Sequence, residues 1–335
     1  MNISPRSYSS PTWHALLAVA CLVSGFGIAT GVRAQDAPPT DGVPQDWPLD
    51  DAPALATLAA RHGLSIGNAM RDGFQTLDRA ELYRRIVSHE FDITTPESSL
   101  KWALLRPTEQ RYVYAPLDAI VDFAASEGID LHGHPLVWHR INPPWLDGVA
   151  PERIEAVMTD HIAEVVGRYR GRFQVWDVVN EALEDAGPAL RSSVFFDAMG
   201  ERFIDIAHAT AHQADPGAEL IYNDFGVGWP TAKSEGMFAL LERLQARGVP
   251  LDGVGFQMHI DHPFAHVEGV STNLQRAADL GLDVWITEFD VGVQSVDDHD
   301  AQAMLYEDIL KRCLMQPACR AFQIWGLDDF YSFRP

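Results

Sequence analysis

The sequence predicts an α/β fold, a single (β/α)8 TIM barrel, and two observations support this prediction. Strand-like apolar segments occur eight times along the chain, and segments with helical periodicity lie between them. Neither the composition nor the residue pattern changes along the chain in a way that indicates a second domain or an internal repeat. Regular alternation of strands and helices is typical of a closed barrel of parallel strands.

The first 34 residues have the features of a secretory signal peptide. Arg6 and His14 precede an apolar stretch, 15–30, which is followed by the small-residue cleavage pattern Val32-Arg33-Ala34. A lipoprotein signal at Cys21 is the weaker alternative, because the apolar stretch continues past that residue. We therefore expect 1–34 to be removed and the protein to be secreted, either to the periplasm or out of the cell.

The remaining chain divides into a lead-in and a catalytic domain. Residues 35–50 are rich in Pro, Asp and Gly and are predicted to be unstructured, so the barrel domain spans 51–335. The domain begins with a short predicted helix, 52–60. The predicted strands are 64–69, 91–96, 130–138, 173–180, 219–223, 253–260, 283–289 and 320–325. The helical segments between them include 79–88, 117–126, 154–169, 195–212, 233–246 and 301–314.

The sequence stops at Pro335, soon after the eighth predicted strand. No residues remain for an eighth helix, so we expect a barrel that lacks this helix. The apolar surface of such a barrel stays open unless the N-terminal helix or a partner covers it. Alternatively, the sequence is a fragment of a longer chain.

The chain is strongly acidic. It contains 47 Asp and Glu against 25 Lys and Arg, which gives a formal net charge of -22 at pH 7. This charge argues against nucleic acid or an anionic membrane surface as a partner. We expect a soluble monomer whose partner is its substrate.

Cys313 and Cys319 are separated by six positions, with Pro317 between them. In a secreted protein this spacing most simply predicts one local disulfide. A metal-binding pair is the weaker alternative, since no third or fourth Cys or His ligand lies nearby in the sequence.

Carboxylic acids end two of the most apolar strands. The run Phe173-Gln174-Val175-Trp176-Asp177-Val178-Val179 leads to Asn180-Glu181, and a second run from Leu282 leads to Glu288 and Asp290. A glycosidase typically needs two carboxylic acids that converge on one cleft. Other polar residues at predicted strand ends are Glu97, His134, Asn223, Asp224, Gln257, His259 and Trp325. Because there is no phosphate-binding Gly loop or cofactor motif, we expect a neutral polyhydroxy substrate and no cofactor.

These residues occur in motifs that resemble glycoside hydrolase family 10, the retaining endo-β-1,4-xylanases. The resemblance covers the whole chain after the signal and implies hydrolysis of internal xylan bonds by double displacement, without a metal. A local disulfide at the positions of Cys313 and Cys319 also belongs to the family pattern. The matching motifs are Thr95-Pro96-Glu97 with Lys101-Trp102, Gly133-His134 with Leu136-Val137-Trp138-His139, Trp176 to Ala182, Tyr222-Asn223-Asp224, Gly255-Phe256-Gln257 with His259, Ile286-Thr287-Glu288 with Asp290, and Trp325-Gly326.

The resemblance also implies a role for each residue. Glu181 would be the general acid/base and Glu288 the nucleophile, with their carboxyl groups about 5 to 5.5 Å apart as retention requires. His259 and Asp290 would orient Glu288. The substrate-binding residues would be Asn180 at the sugar 2-hydroxyl and Glu97, Lys101, His134, Trp138, Asn223, Gln257 and Trp325 elsewhere in the cleft. The alternative for Lys101 and Asp290 is an ion pair, and for Trp176 and Trp285 it is packing in the core.

The sequence His132-Gly133-His134 allows a different interpretation, because two His on one barrel strand can bind a catalytic metal. Against a metal-dependent hydrolase, the segment 219–223 supplies no further His or Lys. A Pro follows His134, and the family usually has a cis peptide at this point. We therefore predict a cis bond between His134 and Pro135.

The chain departs from the family pattern at four positions, Ser98, Ile141, Phe225 and Phe333, where Asn, Gln, Tyr and Trp are usual. The Asn and Gln normally contact the second sugar, so we expect altered recognition of the sugars on the non-reducing side of the cut, the glycone side. One alternative function is therefore a related β-glycosidase that acts on glucan or on short or decorated oligosaccharides. The other alternative is a catalytically weak, carbohydrate-binding barrel.

Overall fold

Eight parallel strands close into a barrel in the computed structural model, which describes residues 52–77, 79–263, 265 and 267–328. The signal peptide and the lead-in that the sequence predicts lie outside these residues. The strands are β1 (Ser65–Met70), β2 (Ile93–Pro96), β3 (Asp130–Gly133), β4 (Val137–Trp138), β5 (Val175–Asn180), β6 (Glu219–Asp224), β7 (Gly253–Phe256), β8 (His259–Ile260), β9 (Asp283–Val291) and β10 (Cys319–Ile324).

The barrel closes because β1 pairs with both β2 and β10. The ring continues from β2 through β3, β5, β6, β7 and β9, and β9 pairs with β10. The short β4 and β8 lie at the rim, where they pair with the C-terminal ends of β5 and β9 respectively. Every predicted strand overlaps one of the eight strands of the ring, so the (β/α)8 prediction is confirmed.

Two predicted strands, 130–138 and 253–260, are each interrupted in the structure. Pro135 cannot donate a backbone hydrogen bond, so β3 ends before it and the chain pairs again only at β4. Met258 interrupts the other segment with a positive φ of 62°, which is incompatible with extended backbone. Both interruptions lie at the rim, and each precedes a side chain that faces the cleft.

The helices that surround the barrel begin and end close to the predicted bounds. The predicted helix 195–212 is two helices in the structure, because Gly200, with φ 61°, ends the first of them. The helices are α1 (Leu55–Ala60), α2 (Ala80–Glu90), α3 (Trp102–Leu105), α4 (Ala115–Glu127), α5 (Pro151–Arg168), α6 (Val194–Met199), α7 (Arg202–Ala214), α8 (Ala232–Ala246), α9 (Val270–Asp279) and α10 (His299–Met315). None of the helices in the described ranges is long and apolar enough to cross a membrane.

An apolar plug fills one layer of the barrel interior. It consists of Ile93, Val175, Ile221, Trp285 and Ala321, all buried and contributed by five different strands. A larger apolar core lies between the strands and the helices and includes the buried Trp176, which stacks on Phe173 at 4.3 Å. Trp176 and Trp285 are therefore core residues, which confirms the packing alternative for both. Because apolar side chains fill this layer, the polar side chains of the barrel interior lie in the layers nearer the rim.

Gly133 allows the close contact that positions the two His of β3. A Cβ atom added to Gly133 would lie 2.0 Å from the ring of Trp176, so no larger residue fits here. The indole ring can pack directly against the backbone of β3 only because this side chain is absent. The neighbouring His132 and His134 are both buried.

The bond between His134 and Pro135 is trans, like the other peptide bonds of the described residues, so the predicted cis bond is wrong. Proline lowers the cost of a cis bond, but trans remains the intrinsically preferred isomer by about 0.5 to 1 kcal/mol. In the trans form Leu136 N–H donates to Asp177 O at 2.9 Å, so the chain already returns to β5 without a cis turn.

The predicted disulfide joins Cys313 and Cys319, with a Cα–Cα distance of 5.4 Å. It connects the last turn of α10 to the first residue of β10, and both cysteines are buried. The metal-binding alternative for this pair is therefore wrong, because a disulfide sulfur has no thiolate to offer. The described chain ends at Asp328, so the expected absence of an eighth helix, and the departure at Phe333, concern residues outside the described part.

Candidate active site

The first of the two predicted catalytic acids, Glu181, lies immediately after β5 and is 8% exposed. Its φ is 56°, a left-handed conformation that non-glycine residues rarely adopt. The backbone is fixed in this conformation by a 2.9 Å hydrogen bond from Glu181 N–H to Asn223 O on β6. Such unfavourable backbone conformations persist where the surrounding structure imposes them, often at active sites.

Glu288, the second acid, lies within β9 and is 4% exposed. Its two carboxylate oxygens have different partners: Oε1 accepts from Asn223 Nδ2 at 2.8 Å and Oε2 lies 3.1 Å from His259 Nε2. Burial alone would raise the pKa of Glu288, but the nearby charge of His134 and the hydrogen bond from His259 outweigh burial and lower it. The structure therefore favours an ionised Glu288, the form that a nucleophile needs.

His259 is held between two carboxylates. Its Nδ1 lies 2.8 Å from Asp290 Oδ2, while its Nε2 contacts Glu288. Burial lowers the pKa of His259, but these two hydrogen bonds and charges raise it to about 9. A protonated imidazole donates from both nitrogens, so His259 fixes the orientation of Glu288 and Asp290 fixes that of His259. This arrangement matches the orienting roles predicted for both residues.

Three amide side chains connect the catalytic acids. Asn223 Nδ2, which contacts Glu288, also lies 3.1 Å from Asn180 Oδ1. Gln257 Nε2 in turn lies 3.0 Å from Asn180 Oδ1 and 3.2 Å from Glu181 Oε1. Asn180, Asn223 and Gln257, all predicted as site residues, are therefore brought together between Glu181 and Glu288. Since these amides are buried, they hold the two carboxyl groups at a fixed relative position.

Asp177 and Thr287 were not predicted as site residues, but both support this network. Thr287 Oγ1 donates to Asn223 Oδ1 at 2.8 Å, which orients the amide so that its nitrogen faces Glu288. Asp177 Oδ1 lies 2.9 Å from His132 Nε2 and Asp177 Oδ2 lies 2.7 Å from His134 Nδ1. Burial would raise the pKa of Asp177, but the two His lower it to about 2. The sequence did contain a sign of this role, because Asp177 is an acid within an otherwise apolar strand. Buried acids are almost always paired, so a partner for Asp177 could have been expected.

The metal alternative was based on His132 and His134, but the described residues that could together hold a metal are His134, Asp177 and Glu288, with one ligand-type atom from each all within 4.8 Å of one another. The facing atoms are already hydrogen-bonded, His134 Nδ1 to Asp177 and Glu288 Oε1 to Asn223. A cation would have to displace these donors. We therefore expect dialysis against EDTA to leave kcat unchanged, measured as hydrolysis rate before and after dialysis. A loss of activity that added Zn²⁺ restores would support the metal-dependent alternative.

The predicted glycone residues lie together at the ends of β10, β2, β3 and β4. The ring of His134 lies 5.2 Å from Trp325 and 6.3 Å from Trp138. Lys101 Nζ lies 5.7 Å from the centre of the Trp138 ring. Burial raises the pKa of Glu97, although the charges of Lys101 and Arg71 oppose this shift. Two indoles with a cation and a carboxylate beside them can stack on a sugar ring and bind its hydroxyls.

Phe225 lies on a different part of the rim from this glycone group. It follows β6, and the order of strands around the barrel places β6 across the cleft from β1 and β2. Lys233 Nζ lies 3.3 Å from the centre of the Phe225 ring and 2.7 Å from Asp224 Oδ1. Lys233 therefore forms a buried ion pair with Asp224 and also makes a cation–π contact with Phe225.

His139 is a further unpredicted neighbour of Glu181, with its Nδ1 3.8 Å from Glu181 Oε2. Burial, together with the positive charges of Arg191 and Arg140, lowers the pKa of His139 to about 4. The imidazole is therefore neutral at the pH values where most enzymes work. It offers a hydrogen-bonding group beside Glu181 without adding a positive charge.

The raised pKa of His259 predicts a pH-dependent contribution to stability. Its pKa in the folded protein, about 9, exceeds the ordinary value of 6.5, so this contribution is complete below pH 6.5 and is lost as the pH rises through 9. We expect the free energy of unfolding to fall by up to ~3 kcal/mol over this range in the wild type, and by less in His259→Asn. Urea unfolding at pH 6 and pH 9.5 measures both values. Equal falls in the two proteins would contradict the charged state of His259.

A family model for glycosyl hydrolase family 10 matches residues 54–335 of the chain. Among curated proteins, endo-1,4-beta-xylanase B of Thermotoga neapolitana is 40% identical over 287 residues, which covers 84% of this chain and 83% of that protein. The beta-1,4-xylanase of Dictyoglomus thermophilum is 35% identical over 267 residues, which covers 75% of each chain.

Solved structures show the same similarity. The crystal structure of native xylanase 10B from Thermotoga maritima superimposes with a TM-score of 0.81 at 40% identity and covers 84% of this chain and 88% of that one. Xylanase 10B from Thermotoga petrophila RKU-1, solved in complex with xylobiose, also gives a TM-score of 0.81, at 39% identity, and covers 84% and 87% of the two chains.

Proposed function

The chain belongs to glycosyl hydrolase family 10, and we propose that it is a secreted endo-1,4-β-xylanase that cleaves internal bonds of xylan with retention of anomeric configuration. The single observation that carries the proposal is the pair Glu181 and Glu288 joined through Asn180, Asn223 and Gln257 at the barrel rim. The names of the relatives support the choice of xylan. The xylobiose complex of a structural relative supports a substrate built of xylose.

In the first chemical step, the Glu288 carboxylate attacks the anomeric carbon while Glu181 donates its proton to the glycosidic oxygen. The bond from the anomeric carbon to that oxygen breaks, the shortened chain leaves as an alcohol, and a glycosyl ester forms on Glu288. His259 and Asn223 hold the two oxygens of Glu288, so the attacking carboxylate does not have to be reoriented. Asn180, between the two acids, is placed to bind the sugar 2-hydroxyl.

In the second step, Glu181 acts as a base. It takes a proton from water, the water oxygen attacks the anomeric carbon, and the ester bond to Glu288 breaks. Once Glu288 is esterified its negative charge is absent, so Glu181 can ionise and serve as the base without repulsion from a second carboxylate. Two inversions restore the original configuration. The 5 to 5.5 Å carboxyl separation that this route needs stays a prediction.

Sugar release from three polymers tests the substrate. The protein spanning 35–335 would be incubated with xylan, mixed-linkage glucan and carboxymethyl cellulose, and reducing ends would be measured. Release from xylan alone supports the proposal. Release mainly from glucan would favour the related β-glycosidase. A folded protein that binds xylan without releasing reducing ends would support the carbohydrate-binding alternative.

Secretion is proposed from the signal-like residues 1–34 and from the disulfide between Cys313 and Cys319, since disulfides persist in oxidising compartments. We expect the exported protein to begin at Gln35, which mass spectrometry of its N-terminal peptide would determine. Recovery of an uncleaved chain from the cytoplasm would contradict the proposal. We also propose a monomer, for which light scattering at working concentration would give the mass of one chain.

A further inference from the structure

Asp224, the last residue of β6, is a fully buried acid that takes no part in the two chemical steps. Successive side chains of a strand point to opposite faces, and Asn223 faces Glu288 inside the barrel. Asp224 and Tyr222 therefore lie on the outer face of β6, where Tyr222 belongs to the core between the strands and the helices. An ionised acid is costly to bury without partners, so the partners of Asp224 indicate what it does.

Both carboxylate oxygens of Asp224 have partners. Oδ1 lies 2.7 Å from Lys233 Nζ and accepts from Phe225 N–H at 2.9 Å. Oδ2 accepts from the Tyr222 hydroxyl at 2.5 Å. Lys233 lies in the first turn of α8, which a capping box fixes, and it is only 2% exposed. Its positive charge favours the ionised carboxylate that Tyr222 uses as an acceptor.

The Tyr222 hydroxyl connects this ion pair to the backbone beside the proposed acid/base. Because the hydroxyl donates to Asp224, its oxygen can accept a second hydrogen bond, and Ala182 N–H donates to it at 3.1 Å. Ala182 directly follows Glu181. We call Tyr222, Asp224 and Lys233 the β6–α8 network. All three side chains are too deeply buried to contact a substrate.

Residues of β6 hold both peptide groups that flank Glu181. In the peptide before it, Glu181 N–H donates to Asn223 O at 2.9 Å. In the peptide after it, Ala182 N–H donates to Tyr222. The orientations of these two planar groups determine φ and ψ at Glu181. Its φ of 56° is unfavourable for a residue with a side chain, so loss of either hydrogen bond would allow the backbone to relax.

We propose that the β6–α8 network positions Glu181: it fixes the backbone turn and so directs the carboxyl group of this acid/base towards the glycosidic oxygen. This inference rests on the proposed function, in which Glu181 donates the proton. Arg191 Nε donates to Glu181 O at 3.3 Å and gives the second peptide a further, longer contact. Loss of the network should therefore weaken proton donation without abolishing it.

The test removes only the hydroxyl of Tyr222 and compares two substrates. Xylohexaose needs a proton from Glu181 for its leaving group, whereas an aryl xylobioside with an acidic phenol does not. Misplacement of a reacting group by about 1 Å can cost about a hundredfold in rate. We therefore expect Tyr222→Phe to lower kcat/KM about tenfold to hundredfold on xylohexaose and less than about threefold on the aryl substrate.

Tyr169→Phe is the matched control. Its hydroxyl also belongs to a buried tyrosine and donates to an acid, Asp118, at 2.6 Å. Tyr169 follows α5 and precedes β5, so it lies at the end of the barrel opposite the cleft. This variant should keep the wild-type ratio of the two kcat/KM values even if its Tm falls. A lowered Tm with an unchanged ratio in Tyr222→Phe would mean that the network is only structural, and would overturn the inference.

Two double variants test the role of Asp224 without altering Tyr222. Lys233→Met combined with Asp224→Ala, and Lys233→Met combined with Asp224→Asn, each remove both charges, so no unpaired ion remains in the core. Only the asparagine retains an oxygen that accepts from Tyr222. The ratio should fall with alanine and lie closer to the wild type with asparagine.

Equal ratios in the two double variants would overturn the role assigned to Asp224. Failure of the wild type to cleave either substrate would instead overturn the proposed function, and the inference with it. An active wild type whose ratio is unchanged in Tyr222→Phe overturns the inference alone.

Discussion

Replacement of Glu288 by Ala is expected to lower kcat on xylan by about 10⁵-fold, with little change in folding. The variant has no carboxylate to attack the anomeric carbon, so the glycosyl ester cannot form. The loss should exceed that of any other single substitution in the cleft, because Glu288 is the attacking group itself, whereas His259, Asn223 and His134 contact it and position it. Reducing-end release measured with a thousandfold excess of variant over wild type would quantify the residual rate.

A matched control for Glu288 is Glu127→Ala, which removes an exposed acid at the C-terminal end of α4, before β3 begins. Its kcat should equal that of the wild type, and both variants should keep the wild-type circular dichroism spectrum. If Glu288→Ala retained more than about one hundredth of wild-type kcat, Glu288 could not be the nucleophile. A small external nucleophile such as formate should restore part of the activity, since it can occupy the space of the missing carboxylate.

Replacement of Glu181 by Ala should produce the second-largest loss, about 10³-fold to 10⁴-fold in kcat/KM on xylan. The reason is that the xylan leaving group is a poor one without a proton from Glu181. An aryl xylobioside with an acidic phenol needs no such proton, so its first step should be impaired much less. Steady-state kinetics on both substrates, with and without azide, measures the difference.

The response to azide distinguishes an acid/base role of Glu181 from a purely structural role. It attacks the glycosyl ester without needing a general base, so we expect it to accelerate Glu181→Ala and to leave a glycosyl azide of the original configuration. The exposed Glu184, three residues further along, provides the control Glu184→Ala, which should behave as the wild type. Equal losses on xylan and on the aryl substrate, with no effect of azide, would exclude Glu181 as the acid/base.

The barrel could be predicted from the sequence because its strands are buried on both faces and therefore consist of nearly continuous apolar residues. The positions where strands are interrupted at the rim were harder to predict from the sequence. Pro135 and Met258 interrupt hydrophobic runs whose composition still favours strand, and in each case a local backbone requirement prevailed over the pattern. The predicted cis bond at Pro135 failed for a related reason, since proline makes a cis bond possible without making it necessary.

A site residue could be proposed from the sequence where a polar side chain lies at or near the C-terminal end of an apolar strand, as for Glu181, Asn223 and Glu288. Asp177 was missed because it lies inside such a strand and its partners, His132 on β3 and His134 just after β3, are 45 and 43 positions away in the sequence. The position of Phe225, away from the other predicted substrate-binding aromatic residues, could not be predicted, because a motif says that an aromatic residue follows a strand but not which strands face each other. The closed order of strands around the barrel supplies that information.

The most direct test of the account is the anomeric configuration of the first product. Proton NMR during hydrolysis of xylohexaose, recorded within minutes of adding enzyme, distinguishes the two anomers before they equilibrate. Double displacement at Glu288 with Glu181 as acid and base predicts that the β-anomer appears first and that the α-anomer follows by mutarotation. Initial formation of the α-anomer would mean a single displacement by water, and would contradict the nucleophilic role of Glu288.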